Sequence, residues 1–337
     1  MIENREAFRD ALLRWFAVCG KDYPWRRTRD GYAVLVSEVM LQQTQLATVL
    51  GKSYYTRFLA SFPNVATLAV AADEPLLKAW EGLGYYRRAR MLRETARALI
   101  AKHGGVFPRD TLELLDLPGI GPYTANALRA FAFDLPGAVV DGNVTRVLAR
   151  LMNFCEPVDT SAAQRQIAQW AEMLEDKQHP RAYNSALMEL GQTVCRPGSP
   201  DCANCPVAQF CQAHTPSRLP FKRLKTVITA VDEHALWLRD ADGRLLVHCE
   251  DGRRRTGMWK LPTRSAADIA HLPVVAEQHY SITRYRVHLL VHAGSAKSFA
   301  LAQGEVWLHP AALDPLPMPP AFRKILIKLL EKSANQM

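Results

Sequence analysis

The sequence lacks the long apolar runs that a membrane-spanning protein or an exported precursor needs. No stretch approaches the roughly 20 apolar residues of a transmembrane helix. Residues 1–20 are charged and amphipathic and do not contain the apolar core of a signal peptide. Low-complexity tracts and internal repeats are missing as well. These absences predict a soluble protein of the cytoplasm, without a membrane partner.

Cysteine is scarce, and acidic residues are fewer than basic ones. The seven cysteines are odd in number and four of them are bunched, which argues against a disulfide scaffold. The 42 lysines and arginines exceed the 33 aspartates and glutamates, giving a net charge of +9. This balance favours a polyanionic partner, although a solvated basic face would produce the same charge. A length of 337 residues predicts two domains.

The pattern of apolar residues changes near residue 213. From about residue 5 to 212 the apolar residues recur at helical spacing. Residues 214–225 contain prolines and basic residues without periodicity, as a linker does. Strand signals follow at 226–240, 244–250, 285–294 and 305–310, and a helix is expected at 322–332. The chain is therefore predicted to join an all-α domain to a smaller α/β domain.

The bunched cysteines form the pattern C-x6-C-x2-C-x5-C over Cys195, Cys202, Cys205 and Cys211. Four thiolates within 17 residues, in a region with prolines and turns, can converge on one site. The spacing alone leaves a zinc ion and an iron–sulfur cluster both open.

The segment LPGIGPYTANAL (117–128) carries Gly119 and Gly121 around one apolar residue, followed by Pro122. Glycines permit a positive φ and a close backbone approach, and proline suits the first turn of a helix. The segment predicts two helices joined by a tight hairpin whose exposed N–H groups can bind a DNA phosphate. Such a contact carries no sequence information.

These motifs together resemble a known class of enzyme. The hairpin, Asp141 about 20 residues later and the cysteine loop resemble the helix-hairpin-helix DNA glycosylases of the endonuclease III type. More closely, SEVMLQQTQ (37–45), GLGYYRRAR (82–90) and VDGNVTRVLAR (140–150), with a strand-rich second domain, resemble the MutY family of adenine DNA glycosylases. The resemblance covers nearly all of 20–212 and is looser over 226–337.

The resemblance implies a multidomain fold. It assigns an all-α helix-hairpin-helix glycosylase domain to 1–213, with a six-helix part at about 29–135. An iron–sulfur part takes about 1–28 and 136–213, and its cysteine loop holds a [4Fe–4S] cluster. After the linker at 214–225, residues 226–337 form a smaller α/β MutT-like (Nudix-fold) domain.

Two carboxyl groups are the candidate catalytic residues. Breaking an N-glycosidic bond requires a proton for the departing base and a negative group beside the sugar cation. Glu38 lies in the apolar stretch VLVSEVML, where burial would raise its pKa and keep it protonated to donate to N7 of adenine. Asp141 would lie beneath C1′ of the sugar. The alternatives are a salt-bridged helical acid for Glu38 and a helix N-cap for Asp141.

Tyr123 bears on the type of reaction. In bifunctional relatives the corresponding residue is a lysine, whose amine attacks C1′ and drives strand cleavage. Tyrosine forms no imine, so the sequence predicts hydrolysis by water and an abasic product. The resemblance implies that Tyr123 and Asn143 support Asp141 and the sugar.

The resemblance also implies residues that contact DNA and the flipped base. Gln43 and Tyr85 are the expected wedge around the partner base. Trp25, Arg26 and Leu41 are the expected lining of the adenine pocket.

Two positions depart from the family pattern. Ser185 stands where a glutamine or glutamate would read the adenine edge. In the second domain, Ile282-Thr283-Arg284 replaces the Phe-Ser-His turn that recognises 8-oxoguanine. Thr283 keeps a hydroxyl, whereas Arg284 replaces a neutral imidazole. The R-E-x-x-E-E run of active pyrophosphohydrolases is missing, so no such activity is expected.

The sequence thus predicts a monomeric, monofunctional adenine DNA glycosylase of base excision repair. Its partner is double-stranded DNA with adenine opposite 8-oxoguanine or guanine, in the nucleoid of a bacterial cytoplasm. One alternative is a bifunctional glycosylase/lyase on oxidised pyrimidines, which would need a lysine at 123 and leave 226–337 without a purpose. The other is a non-enzymatic iron–sulfur DNA-binding protein, against which the presence of Glu38 and Asp141 counts.

Overall fold

The structure is a computed structural model that describes residues 2–223, 227–252 and 255–334. The chain groups into two compact units. The first comprises Met1–Gln43, Asn64–Ala66 and Glu94–Lys225. The second comprises Thr44–Pro63, Thr67–Arg93 and Thr226–Met337. The domain limits that the sequence predicts, 1–213 and 226–337, remain a prediction.

The chain up to residue 213 is helical, as predicted. Its helices are α1 (Arg5–Cys19), α2 (Gly31–Leu41), α3 (Leu46–Gly51), α4 (Tyr54–Ser61), α5 (Val65–Ala69), α6 (Asp73–Ala79), α7 (Arg87–His103), α8 (Thr111–Leu115), α9 (Pro122–Ala127), α10 (Gly142–Leu151), α11 (Ser161–Leu174) and α12 (Pro180–Thr193). A 3-10 turn covers Pro24–Arg26, and a π-helical turn at Leu128–Ala132 follows α9. Among the described helices, none is long and apolar enough to cross a membrane.

The core of the first unit forms where α1, α10, α11 and α12 pack together. Phe8 and Leu12 of α1 are fully buried in the same cluster as Leu148, Ile167 and Leu190. These residues recur every three or four positions along their helices, which places each apolar stripe toward the others. This packing fixes α10 beside α12, the two helices that carry several of the predicted site residues.

Helix α2 differs from its neighbours because nearly its whole circumference is buried. All residues from Gly31 to Met40 are buried, and the Asp30 carboxylate caps the helix by accepting the Tyr32 and Ala33 N–H groups. An apolar helix of this kind lies inside a protein rather than on its surface. Any ionisable side chain on it is removed from water.

The C-terminal region is an α/β structure with two sheets. Its elements are β1 (Thr229–Trp237), β2 (Leu245–Cys249), β3 (Trp259–Lys260), β4 (Thr263–Arg264), α13 (Ala266–Ile269), β5 (Val274–Ile282), β6 (Tyr285–Ala293), β7 (Glu305–Leu308) and α14 (Pro320–Ala334). The strand orders are β4-β1-β6-β5 and β3-β2-β7. Strands β1 and β6 are parallel, with Val231 opposite Val287, whereas β5 and β6 form an antiparallel hairpin. Phe322 and Ile325 of α14 are buried with residues from both sheets.

The predicted linker is packed against the first unit over its described part. Pro216–Arg218 form a 3-10 turn, and Leu219 is buried with its carbonyl accepting a hydrogen bond from Arg150. The Phe221 carbonyl accepts the Val158 N–H at 3.0 Å. Residues 224–226 and 253–254 of the predicted linker and second domain lie outside the described residues.

Candidate active site

The glycine hairpin is present between α8 and α9. Gly119 has φ of +81°, a conformation that favours glycine, and Gly121 is the N-cap of α9 with Pro122 in its first turn. The Thr95 hydroxyl donates to the Pro118 carbonyl at 2.6 Å and holds the loop in place. The hairpin therefore fixes the start of α9 and with it the direction of Tyr123.

Glu38 is a buried acid on α2 with 4% of its surface exposed. The Tyr123 hydroxyl donates to its Oε2 at 2.6 Å. Burial raises the pKa of Glu38 to about 7; the phenol hydrogen bond lowers it, and the nearby charge of Asp141 raises it. No cation pairs with Glu38 in the described part of the chain, so it is not a salt-bridged helical acid. At neutral pH a large fraction of this carboxyl carries a proton.

Asp141 is both the N-cap of α10 and a neighbour of the Glu38–Tyr123 pair. Its Oδ1 accepts the Val144 N–H at 2.7 Å, and its Oδ2 accepts from Asn143 Nδ2 at 2.8 Å. Burial raises the pKa of Asp141, while these hydrogen bonds favour the carboxylate. The structure differs from the expectation for Tyr123, whose hydroxyl is directed at Glu38 and not at Asp141.

Two residues that sequence reasoning missed hold Asn143 in place. The Arg146 guanidinium donates to Asn143 Oδ1 at 2.9 Å, to the Gly191 carbonyl at 2.7 Å and to the Cys195 carbonyl at 2.8 Å. A Cβ on Gly191 would lie 2.7 Å from the Asn143 Cβ, so only glycine permits this approach of α12 to α10. A glycine inside a predicted helix was the available signal.

The predicted pocket residues lie at the turn before α2. Trp25 is buried and stacks on Tyr23 with ring centroids 5.4 Å apart. Arg26 donates to Glu189 Oε2 at 2.8 Å and to the Lys21 carbonyl at 2.7 Å. Glu189 was not predicted from the sequence, because 163 residues separate it from Arg26.

The remaining predicted pocket residues are on α2 and α12. Leu41 is the last residue of α2 and is half-buried. Ser185 is buried on α12, and its carbonyl lies 3.5 Å from Arg26 Nη2.

Three predicted DNA-contacting residues have left-handed backbone conformations. The φ angles are +55° for Gln43, +47° for Tyr85 and +51° for Thr283. Such conformations are uncommon outside glycine and cluster at functional sites. Gln43 is exposed, and Tyr85 exposes 50% of its surface. Gln43 belongs to the first unit and Tyr85 to the second.

Thr283 and Arg284 form the exposed turn between β5 and β6. The Thr283 hydroxyl donates to the Ile282 carbonyl at 2.7 Å. The Arg284 guanidinium lies over the Tyr285 ring, 5.2 Å from its centroid. Both side chains are therefore presented at the tip of a hairpin.

Cys195, Cys202, Cys205 and Cys211 lie in the segment after α12 and are not disulfide-bonded. Burial raises the pKa of Cys205 to about 11, and the charges of the other three cysteines raise it further. Within the described ranges, no three metal-binding side chains converge as a single ion requires. Four cysteine thiolates hold zinc ions as well as iron–sulfur clusters, so the residues of this loop suit either group.

Comparison with known proteins shows that this chain is similar to DNA repair enzymes. Residues 36–173 match the HhH-GPD superfamily base excision DNA repair protein family. A solved structure of a thermostable thymine-DNA glycosylase is 30% identical, with a TM-score of 0.56 over 62% of this chain and 95% of that one. A non-covalent endonuclease III–DNA complex is 26% identical, with a TM-score of 0.52 and the same coverages.

Two curated relatives named adenine DNA glycosylase define the family. The protein of Rattus norvegicus is 45% identical over 223 residues, which are 63% of this chain and 43% of that one. The protein of Mycolicibacterium smegmatis (strain ATCC 700084 / mc(2)155) is 34% identical over 296 residues, 87% of this chain and 96% of that one. The chain thus spans about two fifths of the rat relative. It belongs to the adenine DNA glycosylase family.

Proposed function

We propose that this chain is a monofunctional adenine DNA glycosylase that removes adenine opposite 8-oxoguanine or guanine in duplex DNA. The observation that carries the proposal is the buried Glu38 carboxyl, with a pKa of about 7, hydrogen-bonded to Tyr123 and close to Asp141. This arrangement supplies an acid for the base and a carboxylate for the sugar. The relatives named adenine DNA glycosylase support adenine as the base.

The reaction begins when the target nucleotide turns out of the duplex into the pocket. Glu38 then donates its proton to N7 of adenine, which makes the base a better leaving group. The C1′–N9 bond breaks and its electron pair leaves with the base. Asp141 stabilises the sugar cation until water adds to C1′, and the ionised Glu38 accepts the proton that this water releases.

Tyr123 affects the reaction in two ways, one at Glu38 and one at the sugar. Its hydroxyl donates to Oε2 of Glu38, so the acidic proton of Glu38 is carried by Oε1 and is available to the base. It also places no amine near C1′, so the sugar is hydrolysed and the strand is not cut. Asn143 holds the second oxygen of Asp141.

DNA contacts follow from the elements around this centre. The Gly119–Gly121 hairpin binds a backbone phosphate, as its helix start allows. Gln43 and Tyr85 enter the duplex around the partner base, while Leu41, Trp25 and Arg26 line the adenine pocket. The solved endonuclease III–DNA complex supports duplex DNA as the partner. We propose that the protein acts as a monomer on DNA of the nucleoid.

The C-terminal α/β region is proposed to read the base opposite adenine. Thr283 and Arg284 at the exposed hairpin tip offer a hydroxyl and a guanidinium to the oxidised edge of 8-oxoguanine. We assign this region a MutT-like fold without pyrophosphohydrolase activity, with domain limits at 1–213 and 226–337.

We propose that Cys195, Cys202, Cys205 and Cys211 hold a [4Fe–4S] cluster. These four thiolates would hold the cluster, which would supply a covalent tie between Cys195 at the end of α12 and the rest of the loop. The chain's own contribution is to orient Cys195, because Arg150 donates to its Sγ at 3.2 Å. No step of base removal passes through the cluster.

Single-turnover assays on duplexes with adenine opposite each of the four bases and opposite 8-oxoguanine test this function. We expect excision opposite 8-oxoguanine and guanine, with strand breaks only after alkali. Borohydride should trap little covalent complex. Efficient nicking without alkali would support the bifunctional alternative, and DNA binding without any excision would support the non-enzymatic one.

A further inference from the structure

The Arg26–Glu189 pair leaves one buried oxygen without a partner. Glu189 has no exposed surface, and its Oε2 accepts from Arg26 at 2.8 Å. Its Oε1 is buried and has no hydrogen-bond partner among the described residues. A buried polar atom without a partner is costly, so this oxygen calls for a physical explanation, and a hydrogen-bond donor on a ligand would supply one.

Helix α12, which carries this oxygen, borders the candidate active site. Met188 packs in the apolar cluster that includes Tyr123, and Gly191 lies against Asn143. Ser185 precedes Glu189 by one helical turn, so the two residues share a face of the helix. The Arg26 backbone is fixed to the same helix, because the Arg181 guanidinium donates to the Arg26 carbonyl at 2.6 Å. The unpaired Oε1 atom of Glu189 therefore lies on the helix that borders Tyr123 and Asn143.

The Ser185 side chain is shorter than the glutamine or glutamate that the family resemblance predicts at this position. It is too short to hydrogen-bond the edge of a base as either of those side chains would. Ser185 is buried on α12, and its backbone carbonyl lies 3.5 Å from Arg26 Nη2. Glu189 lies one helical turn after Ser185 and is paired with Arg26. This pair offers both a hydrogen-bond donor and a hydrogen-bond acceptor to the edge of a base. The Arg26 guanidinium donates hydrogen bonds, and the Glu189 carboxylate accepts them.

We propose that Glu189 is a specificity-determining residue that accepts a hydrogen bond from the 6-amino group of the flipped adenine through Oε1. This proposal rests on the adenine glycosylase function proposed above. The Arg26 side chain is 18% exposed and is the part of the pair that meets an incoming base. Oε1 is covered without a ligand, so the side chains above it must shift when the base enters, as is common on binding.

The chemistry predicts which purines are accepted. Adenine carries an N–H donor at position 6, which suits a carboxylate oxygen. Hypoxanthine carries a carbonyl oxygen there, which a carboxylate repels, while its N7 is still available to Glu38. An acceptor at Glu189 thus favours adenine over hypoxanthine without changing the proton transfer itself.

The test compares excision of adenine and of hypoxanthine, each opposite 8-oxoguanine, by the parent and by Glu189→Gln. The glutamine keeps an oxygen for Arg26 and presents its NH2 group to the base. We expect the ratio of adenine to hypoxanthine excision to fall by roughly 10- to 100-fold, as when a site loses a hydrogen bond to a charged group. Glu175→Gln is the matched control, because Glu175 is a buried acid of the same unit that accepts the Gly137 N–H. It should leave the ratio unchanged.

The outcomes separate this inference from the function on which it rests. Loss of both activities in equal proportion would show that Glu189 only orients Arg26, and the inference would be overturned. A parent that excises no adenine would overturn the proposed function, and this inference with it. If Glu189→Gln does not fold, the parent alone decides with unsubstituted purine, which lacks the amino group. Relative to acid depurination of the same nucleosides, purine should be excised at least roughly tenfold more slowly than adenine, and equal rates would refute the inference.

Discussion

At Glu38, burial and one hydrogen bond set the proton affinity of a single carboxyl group. Burial removes the carboxylate from water and raises its pKa, and the Tyr123 phenol partly restores the charged form. A pKa near 7 lets the acid be protonated and still transfer its proton at neutral pH. The apolar neighbours on α2 predicted this burial from the sequence. The hydrogen bond from the Tyr123 phenol could not be predicted, because Tyr123 follows Glu38 by 85 residues in the sequence.

Glu38→Gln should abolish excision while duplex binding stays close to that of the parent. The amide has no proton to give to N7, and a positioned acid contributes roughly 10²- to 10⁴-fold to the rate. Single-turnover rates and binding isotherms on the same duplex measure the two effects. Glu113→Gln, at an exposed acid of α8, is the control and should change neither. A rate within about tenfold of the parent would show that another group supplies the proton.

The pH profile should have its alkaline limb near 7, because activity requires protonated Glu38 and is lost as pH rises through the pKa of Glu38. Tyr123→Phe removes the hydrogen bond that lowers this pKa, so Glu38 should stay protonated to higher pH and the limb should move upward. Asp141 must be ionised and sets the acidic limb above its ordinary pKa of 3.8. Single-turnover rates from about pH 4 to about pH 9 measure both limbs. An alkaline limb that stays in place in Tyr123→Phe would show that Glu38 does not control it.

At the scale of elements, local signals predicted the hairpin and the helical character of about residues 5–212. Helix α7 ends at His103 before Gly104 and Gly105, both with positive φ, which is how glycine commonly ends a helix. Four of the strands lie where the sequence predicted them, whereas β4 and β5 were missed. Strand β5 alternates the exposed residues Glu277, His279 and Ser281 with the less exposed Gln278, Tyr280 and Ile282, and it pairs with its sequence neighbour β6. The polar Gln278 on the more buried face weakens the alternation of apolar and polar residues that predicts a strand.

Tyr123→Lys tests the placement of α9 by the hairpin. The start of α9 directs residue 123 at Glu38, so a lysine there would bring an amine near C1′. We expect the variant to form a borohydride-trapped complex with DNA and to nick the strand without alkali. Tyr123→Phe has no amine and should give neither product. A lysine variant that still excises adenine but is never trapped would show that residue 123 lies too far from the sugar.

At the scale of the whole molecule, the cysteine loop packs against the helical core of the first unit. Phe210 of the loop packs edge-on against Phe8 of α1, with ring centroids 5.7 Å apart. Arg150 of α10 is fully buried and donates to the Cys195 sulfur and to the carbonyls of Cys195 and Arg196. The loop thus joins two segments that are far apart in the sequence. The spacing of the cysteines in the sequence could not distinguish a zinc ion from an iron–sulfur cluster. That distinction depends on the positions of the four sulfur atoms in the folded loop.

The metal content of the purified protein tests this assignment. We expect about four iron atoms per chain and a yellow-brown colour, with absorbance at roughly 400 nm from sulfur-to-iron charge transfer. Cys202→Ala should lower the iron content and the melting temperature together, because the loop loses a crosslink to the core. Cys155→Ala is the control, since Cys155 is an exposed cysteine outside the loop. One zinc ion per chain without iron would contradict the cluster.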